Sequence, residues 1–315
     1  MVQDMSVLII MTSNNTDYRA RQFDLKNLIL FIGIAFGWTW SFNALFISGF
    51  LQMPADLGTS GTDVAALISM LAVLLPMPFG PTIGGFIIAG KTRGREGVRE
   101  LWKRFWSRRF TIVWLVVILA FYPLFFLLMR GVGFFLGRVQ PDLIWFGNPL
   151  ILLVPFLASC LHGGLSEEFG WRGYALPNLQ ARFDATTSSV ILGVIEGLWH
   201  MPLAFIPGLV GWEGRALIIF FIWWVPVSIT RTWVFNNTNG SVLAAVLFHS
   251  MGNTASDIVP INIIHLVSGG MGYFFLLLFW IPIVLAIILV FGYRSLVRVK
   301  KSRLDVSVNV PEVSS

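Results

Sequence analysis

Eight apolar stretches follow one another along this chain, near 28–50, 64–90, 111–131, 149–176, 188–206, 216–235, 241–258 and 272–293. A helix of about 20 apolar residues spans the hydrocarbon core of a bilayer, and inside lipid the backbone must satisfy its own hydrogen bonds. The pattern therefore predicts an all-α fold, a polytopic bundle of about eight transmembrane helices. Charge is scarce: 12% of the residues are charged and 56% are hydrophobic, where a soluble domain carries about 25% charge. A single cysteine, Cys160, excludes an intrachain disulfide.

The net charge of +6 follows topology and does not mark a nucleic-acid partner. Lys91, Arg93, Arg95, Arg99, Lys103, Arg104, Arg108 and Arg109 crowd one loop; Arg294, Arg298, Lys300, Lys301 and Arg303 fill the tail; Arg19, Arg21 and Lys26 precede the first helix. Cytoplasmic loops hold the Lys/Arg excess, so both termini are expected in the cytoplasm. The chain then divides into a cytoplasmic segment (1–26), helices 1–3 with a basic loop at 91–110 (27–148), a polar-bearing half with helices 4–7 (149–258), a last helix (259–293) and a basic cytoplasmic tail (294–315). Pro76, Pro78 and Pro81 suggest a kink in helix 2, and Gly84-Gly85 suggests close helix contact. The basic loop interleaves its charges with Leu101, Trp102, Phe105 and Trp106. That pattern fits either an amphipathic helix on the inner leaflet or a solvated loop.

Within 149–258 the helices carry Glu167, Glu168, Arg172, Glu196, His200, Arg231, His249, Asn253 and Asp257. A charged residue at the centre of a membrane helix costs roughly 2.5–3.5 kcal/mol on insertion scales, so such residues read as functional. Helical rise places Glu167 about 15 Å, His200 about 18 Å and His249 about 12 Å from the cytoplasmic ends of their helices. Three polar groups from three helices thus share a depth, which predicts one site, opening toward the cytoplasm. Glu168 and Arg172, four apart with the glutamate first, form an ion pair on one face, leaving Glu167 free for chemistry. His249 shares a face with Asn253, and Glu196 shares one with His200, where a carboxylate can orient the imidazole. Arg231 and Asp257 sit near helix ends and read as interfacial; His162 and His265 have no nameable partner. Trp171 and Tyr174 read as interfacial aromatics.

A carboxylate deprived of water holds its proton more tightly and is a better base near neutral pH. Glu167 with His200 suits activation of a water, and His249 with Asn253 suits stabilisation of an oxyanion. The same residues permit a second reading: His200, His249 and Glu167 form a zinc ligand set with an open position. The cofactor is accordingly none, or zinc. The zinc-protease pattern His-Glu-x-x-His is absent.

Three motifs in order carry a resemblance: Glu167-Glu168-Phe169-Gly170-Trp171-Arg172, then Gly197-Leu198-Trp199-His200-Met201-Pro202, then His249-Ser250-Met251-Gly252-Asn253. Together they resemble the CPBP family of intramembrane proteases, which includes type II CAAX prenyl endopeptidases and abortive-infection or bacteriocin-immunity proteins. The resemblance implies that Glu167 activates water with His200 while His249 and Asn253 hold the oxyanion, supported by Glu168 and Arg172. It also implies a membrane-associated protein or peptide as substrate, the lipid bilayer as surroundings, and no nucleic acid. One departure stands out: Glu196 replaces the family's usual aromatic. The expected protein is a multi-pass endopeptidase of a bacterial plasma membrane. The competing readings are an ion- or proton-coupled transporter and a non-catalytic immunity or scaffold protein.

Overall fold

The computed structural model describes residues 22–51, 75–107, 110–135, 153–206, 215–258 and 271–298. The expected N-terminal segment up to 21, the first part of helix 2, the connector after 135, His265 and the tail beyond 298 lie outside the described residues. So does the side chain of Asp257.

The described chain is helical, with no strand, and forms eight helices. They are α1 (Leu25–Ile47), α2 (Gly80–Trp106), α3 (Ile112–Phe135), α4 (153–180), α5 (Ala185–His200), α6 (Arg215–Asn237), α7 (Val242–Ile258) and α8 (Met271–Phe291). Four of the described helices are long and apolar enough to cross a membrane: Leu25–Ile47, Ile112–Phe135, Ala185–Phe205 and Leu217–Asn237. The outward faces of α1 and α3 stay apolar, with Ile29, Leu45, Ile112, Val116, Leu124 and Leu128 exposed. Those side chains have lipid as their natural solvent.

Helix 2 differs from its sequence expectation. The prolines do not kink it; they start it. Pro76 and Pro78 belong to a short 3₁₀ turn, Met77–Phe79, and Pro81 occupies the first turn of α2, where its missing N–H leaves no bond unmade. The kink falls instead at Gly94, whose φ of 58° and ψ of −147° lie in a region open essentially to glycine. Beyond it the basic segment runs on as an amphipathic helix to Trp106. Leu101 is buried and Trp102 stacks on Phe169 at 5.6 Å, while Arg95, Arg99 and Lys103 face outward.

Hydrogen bonds gather the basic segments at one end of the bundle. The Asn178 amide brackets the backbone of Asp24 before α1, accepting from its N–H and donating to its carbonyl. Ser241 Oγ donates to Ser107 O, and Arg104 to Gly173 O. The turn after α8 accepts from Ala185 N and Thr186 N and from the side chains of Asn236 and Asn237. Lys26, Lys103, Arg182 and Arg294 all belong to this end.

α4 threads the centre of the bundle on glycines. Gly170 lies against the Pro81 backbone of α2, Gly85 one turn further along the same helix packs against Gly170, and Gly164 lies against Val246 and Ser250 of α7. Small residues at each crossing let backbones approach closely, the contact on which membrane helices associate.

Candidate active site

α4 is not a uniform helix. Two wide, π-helical turns, Cys160–Leu165 and Trp171–Ala175, bracket the segment Ser166–Gly170 that bears both glutamates. Such turns are rare and concentrate at functional sites. Glu167 and Glu168, adjacent in sequence, diverge: one lines a cavity and the other enters an ion network.

The cavity, of about 200 Å³, is lined by Glu167 and His162 from α4, His200 from α5, Trp224 from α6, His249 and Asn253 from α7, and Thr39 and Asn43 from α1. The four residues predicted to carry chemistry therefore meet. Glu167 is 4% exposed, and its Oε2 accepts a 3.3 Å hydrogen bond from Trp171 Nε1. Trp171 is thus fully buried beneath the site and is not the interfacial aromatic expected.

Each imidazole is oriented through Nδ1. In His200, Nδ1 lies 2.8 Å from the backbone carbonyl of Glu196; a carbonyl only accepts, so Nδ1 carries the proton and Nε2 is left for the cavity. The ring is held flat against Trp224, centroids 3.9 Å apart and planes at 19°, with Trp199 edge-on at 4.5 Å. In His249, Nδ1 lies 2.7 Å from Glu168 Oε1, so its Nε2 also faces outward from the anchor. A Cβ on Gly163 would sit 3.1 Å from that Nε2 and 2.5 Å from Asn253 Nδ2. Gly163 therefore leaves room for both groups.

Beneath the cavity, toward the basic end, lies a closed ion network. Glu168 pairs with Arg172 at 3.5 Å and with Arg231 at 3.6 Å; Glu196 pairs with Arg172 at 2.5 Å and with Arg231 at 3.6 Å. All four residues are buried. Two carboxylates and two guanidiniums cancel, the condition under which charges are tolerated at this depth. Two expectations are corrected here. Glu196 turns its carboxylate to the arginines and orients His200 with its backbone carbonyl. Arg231 is not interfacial; it is 4% exposed and lies over the Trp224 ring at 5.6 Å. The signal for Arg231 was present, since Trp224, Ser228 and Arg231 share a face of α6 and Ser228 Oγ accepts from Arg172.

The cavity lies toward the helix ends away from the basic segments: its remaining lining is Asn43, Met77, Pro78 and Leu203, and Asn43 is about 27 Å along α1 from Leu25. The buried network lies between the cavity and the basic end. His162, for which sequence offered no partner, is part of the lining, as are Thr39 and Asn43 of α1. Among the described residues, no group of three or more His, Cys, Asp or Glu side chains is disposed to hold a metal ion.

A buried carboxylate, two oriented imidazoles and an amide thus surround one cavity in a helical membrane protein. Residues 149–255 match the model of a family described as type II CAAX prenyl endopeptidase Rce1-like. A curated relative, CAAX prenyl protease 2 of Methanococcus maripaludis, is 28% identical over 206 residues, covering 61% of this chain and 74% of the relative. The part of the chain that carries Glu167, His200, His249 and Asn253 is thus similar to type II CAAX prenyl endopeptidases.

Proposed function

We propose that this protein is a metal-independent glutamate endopeptidase of a prokaryotic plasma membrane, cutting a peptide bond in a membrane-associated protein or peptide. The observation that supports it most is the convergence of Glu167, His200, His249 and Asn253 on one cavity. In this reading Glu167 and His200 Nε2 hold a water between them. Glu167 takes a proton from that water as its oxygen attacks the scissile carbonyl. The carbonyl oxygen becomes an oxyanion that accepts from Asn253 Nδ2 and from a protonated His249 Nε2. Collapse of the tetrahedral intermediate breaks the C–N bond, and the proton held by Glu167 passes to the leaving nitrogen. Each oxyanion donor of this kind contributes on the order of 10²–10³ in rate. Trp171 fixes the Glu167 carboxylate, and the ion network fixes Glu168 and through it His249.

The relative's name suggests the first substrate to try, a peptide bearing a farnesylated cysteine near its C-terminus. Purified protein in lipid nanodiscs is expected to cleave a fluorogenic version of that peptide or of an unprenylated counterpart. Glu167→Gln, which keeps shape and removes the base, is expected to abolish cleavage without lowering thermal stability. Cleavage retained in Glu167→Gln would end this reading. Activity that survives 1,10-phenanthroline, in protein free of zinc by elemental analysis, supports the metal-independent form; activity lost to the chelator and restored by zinc would replace it with the zinc form.

A further inference from the structure

α1 carries two polar residues one turn apart on its buried face, and they behave differently. Thr39 is spent on structure: its Oγ1 donates to Met77 O at 2.9 Å. Asn43 is fully buried, yet neither its Oδ1 nor its Nδ2 has a hydrogen-bond partner among the described residues. It lines the same cavity as Glu167, His200 and Asn253, reaching it from the opposite helix. A buried polar group is normally satisfied, and a primary amide with both ends unmet calls for an explanation.

The explanation is chemical complementarity. A primary amide offers an acceptor and two donors, and a peptide unit offers one donor and one acceptor with matching geometry. Beside Asn43 the cavity lining is apolar, with Met77, Pro78 and Leu203, and Phe46 and Ile206 back Met77 and Leu203 in a buried cluster. We propose that Asn43 is a substrate-binding residue that hydrogen-bonds the backbone of the bound peptide, with the adjacent Met77–Pro78–Leu203 wall receiving an apolar side chain. This rests on the endopeptidase reading and deepens it: the dyad side of the cavity acts on the scissile bond, and the α1 side holds an extended backbone in register. Pairing with a backbone unit is independent of sequence, so Asn43 sets where the chain lies, and the apolar wall sets which residue is favoured.

The test uses binding, so that it does not depend on cleavage. In the Glu167→Gln protein in nanodiscs, a fluorescein-labelled peptide with a farnesylated cysteine is titrated by anisotropy, alongside analogues N-methylated at single backbone positions. Asn43→Leu in this background is expected to weaken binding by roughly ten- to a hundredfold. One N-methylated analogue is expected to bind weakly to the Asn43 protein yet lose nothing further with Asn43→Leu. Because the side chain it replaces is unsatisfied, Asn43→Leu is also expected to leave the melting temperature unchanged or raise it. Unchanged affinity in Asn43→Leu would overturn the proposal, as would N-methyl penalties identical in both proteins at every position, the outcome if Asn43 merely holds water. A fall in melting temperature with both Asn43→Leu and Asn43→Ala would show a structural role and overturn it as well. If Glu167→Gln still cleaves, the catalytic reading falls while the binding result stands on its own.

Discussion

Arg231→Met removes one guanidinium from the closed network while keeping most of its bulk. Arg231 Nη1 stands 3.6 Å from carboxylate oxygens of both Glu168 and Glu196. At an effective dielectric near 20, each contact is worth about 4–5 kcal/mol before desolvation is counted. The desolvation of Arg231 itself is recovered when it is deleted, but the carboxylates remain buried with one counter-charge fewer. Breaking a buried pair this way costs about 3–5 kcal/mol. Glu196→Met leaves the opposite imbalance, and Arg172, 2.5 Å away, loses its nearest partner. The double variant returns to one carboxylate and one guanidinium, Glu168 with Arg172. Both single variants are expected to lose about 6–12 °C in melting temperature, taking the size scaling of soluble domains as a guide. The double variant is expected to lose less than the worse single, which requires a coupling larger than the smaller single loss, at least about 3 kcal/mol. Thermal melts in detergent give the ordering, and unfolding in mixed micelles gives the coupling. Losses that simply add would refute the claim that charge balance, rather than any one contact, holds these residues in the membrane.

Four further outcomes follow from particular contacts. Gly163→Ala places a methyl against Asn253 Nδ2 and His249 Nε2; turnover is expected to fall by about 10², the scale for misplacing reacting groups by an ångström, with wild-type peptide affinity. Glu168→Gln removes the acceptor charge at His249 Nδ1, and kcat is expected to fall on the order of 10²–10⁴ with KM little changed; equal kcat would show that His249 needs no anchor. Gly94→Ala meets no neighbour, so any loss is backbone strain, about 1–3 kcal/mol, confined to the amphipathic half of α2 and visible as faster amide exchange there. At the start of α1 the backbone N–H of Asn27, with its side chain, holds the Asp24 carboxyl below its usual 3.8. A depressed acid stabilises above its unfolded pKa and loses that effect as pH falls through the folded value. Asn27 exchange should therefore quicken on acidification below 3.8 in the native protein, and should lose that pH dependence in Asp24→Asn.

What was legible in the sequence was what periodicity and burial cost encode locally. Apolar run length placed α1, α3, α5 and α6 within a few residues, because lipid imposes the same requirement on each. Helical rise brought Glu167, His200 and His249 to compatible depths. It did not reveal the far wall, because that wall comes from α1 and the turn before α2. The prolines of that turn show the limit of a local rule: proline kinks a helix interior but begins a helix equally well, and only the chain on either side decides.

The sequence alone determined that this chain is a membrane helix bundle whose polar residues in 149–258 need one another, since isolated charges in lipid are too costly to keep. Only the tertiary structure decided the pairing. Glu167 and Glu168 have the same chemistry and adjacent positions, yet the wide turns of α4 send one to the cavity and the other to Arg172, Arg231 and His249. Glu196 could serve His200 with its carboxylate or with its carbonyl, and the arginine across the helix interface settled which. Those choices depend on interhelical distances of a few ångströms, which spacing along a single helix does not contain.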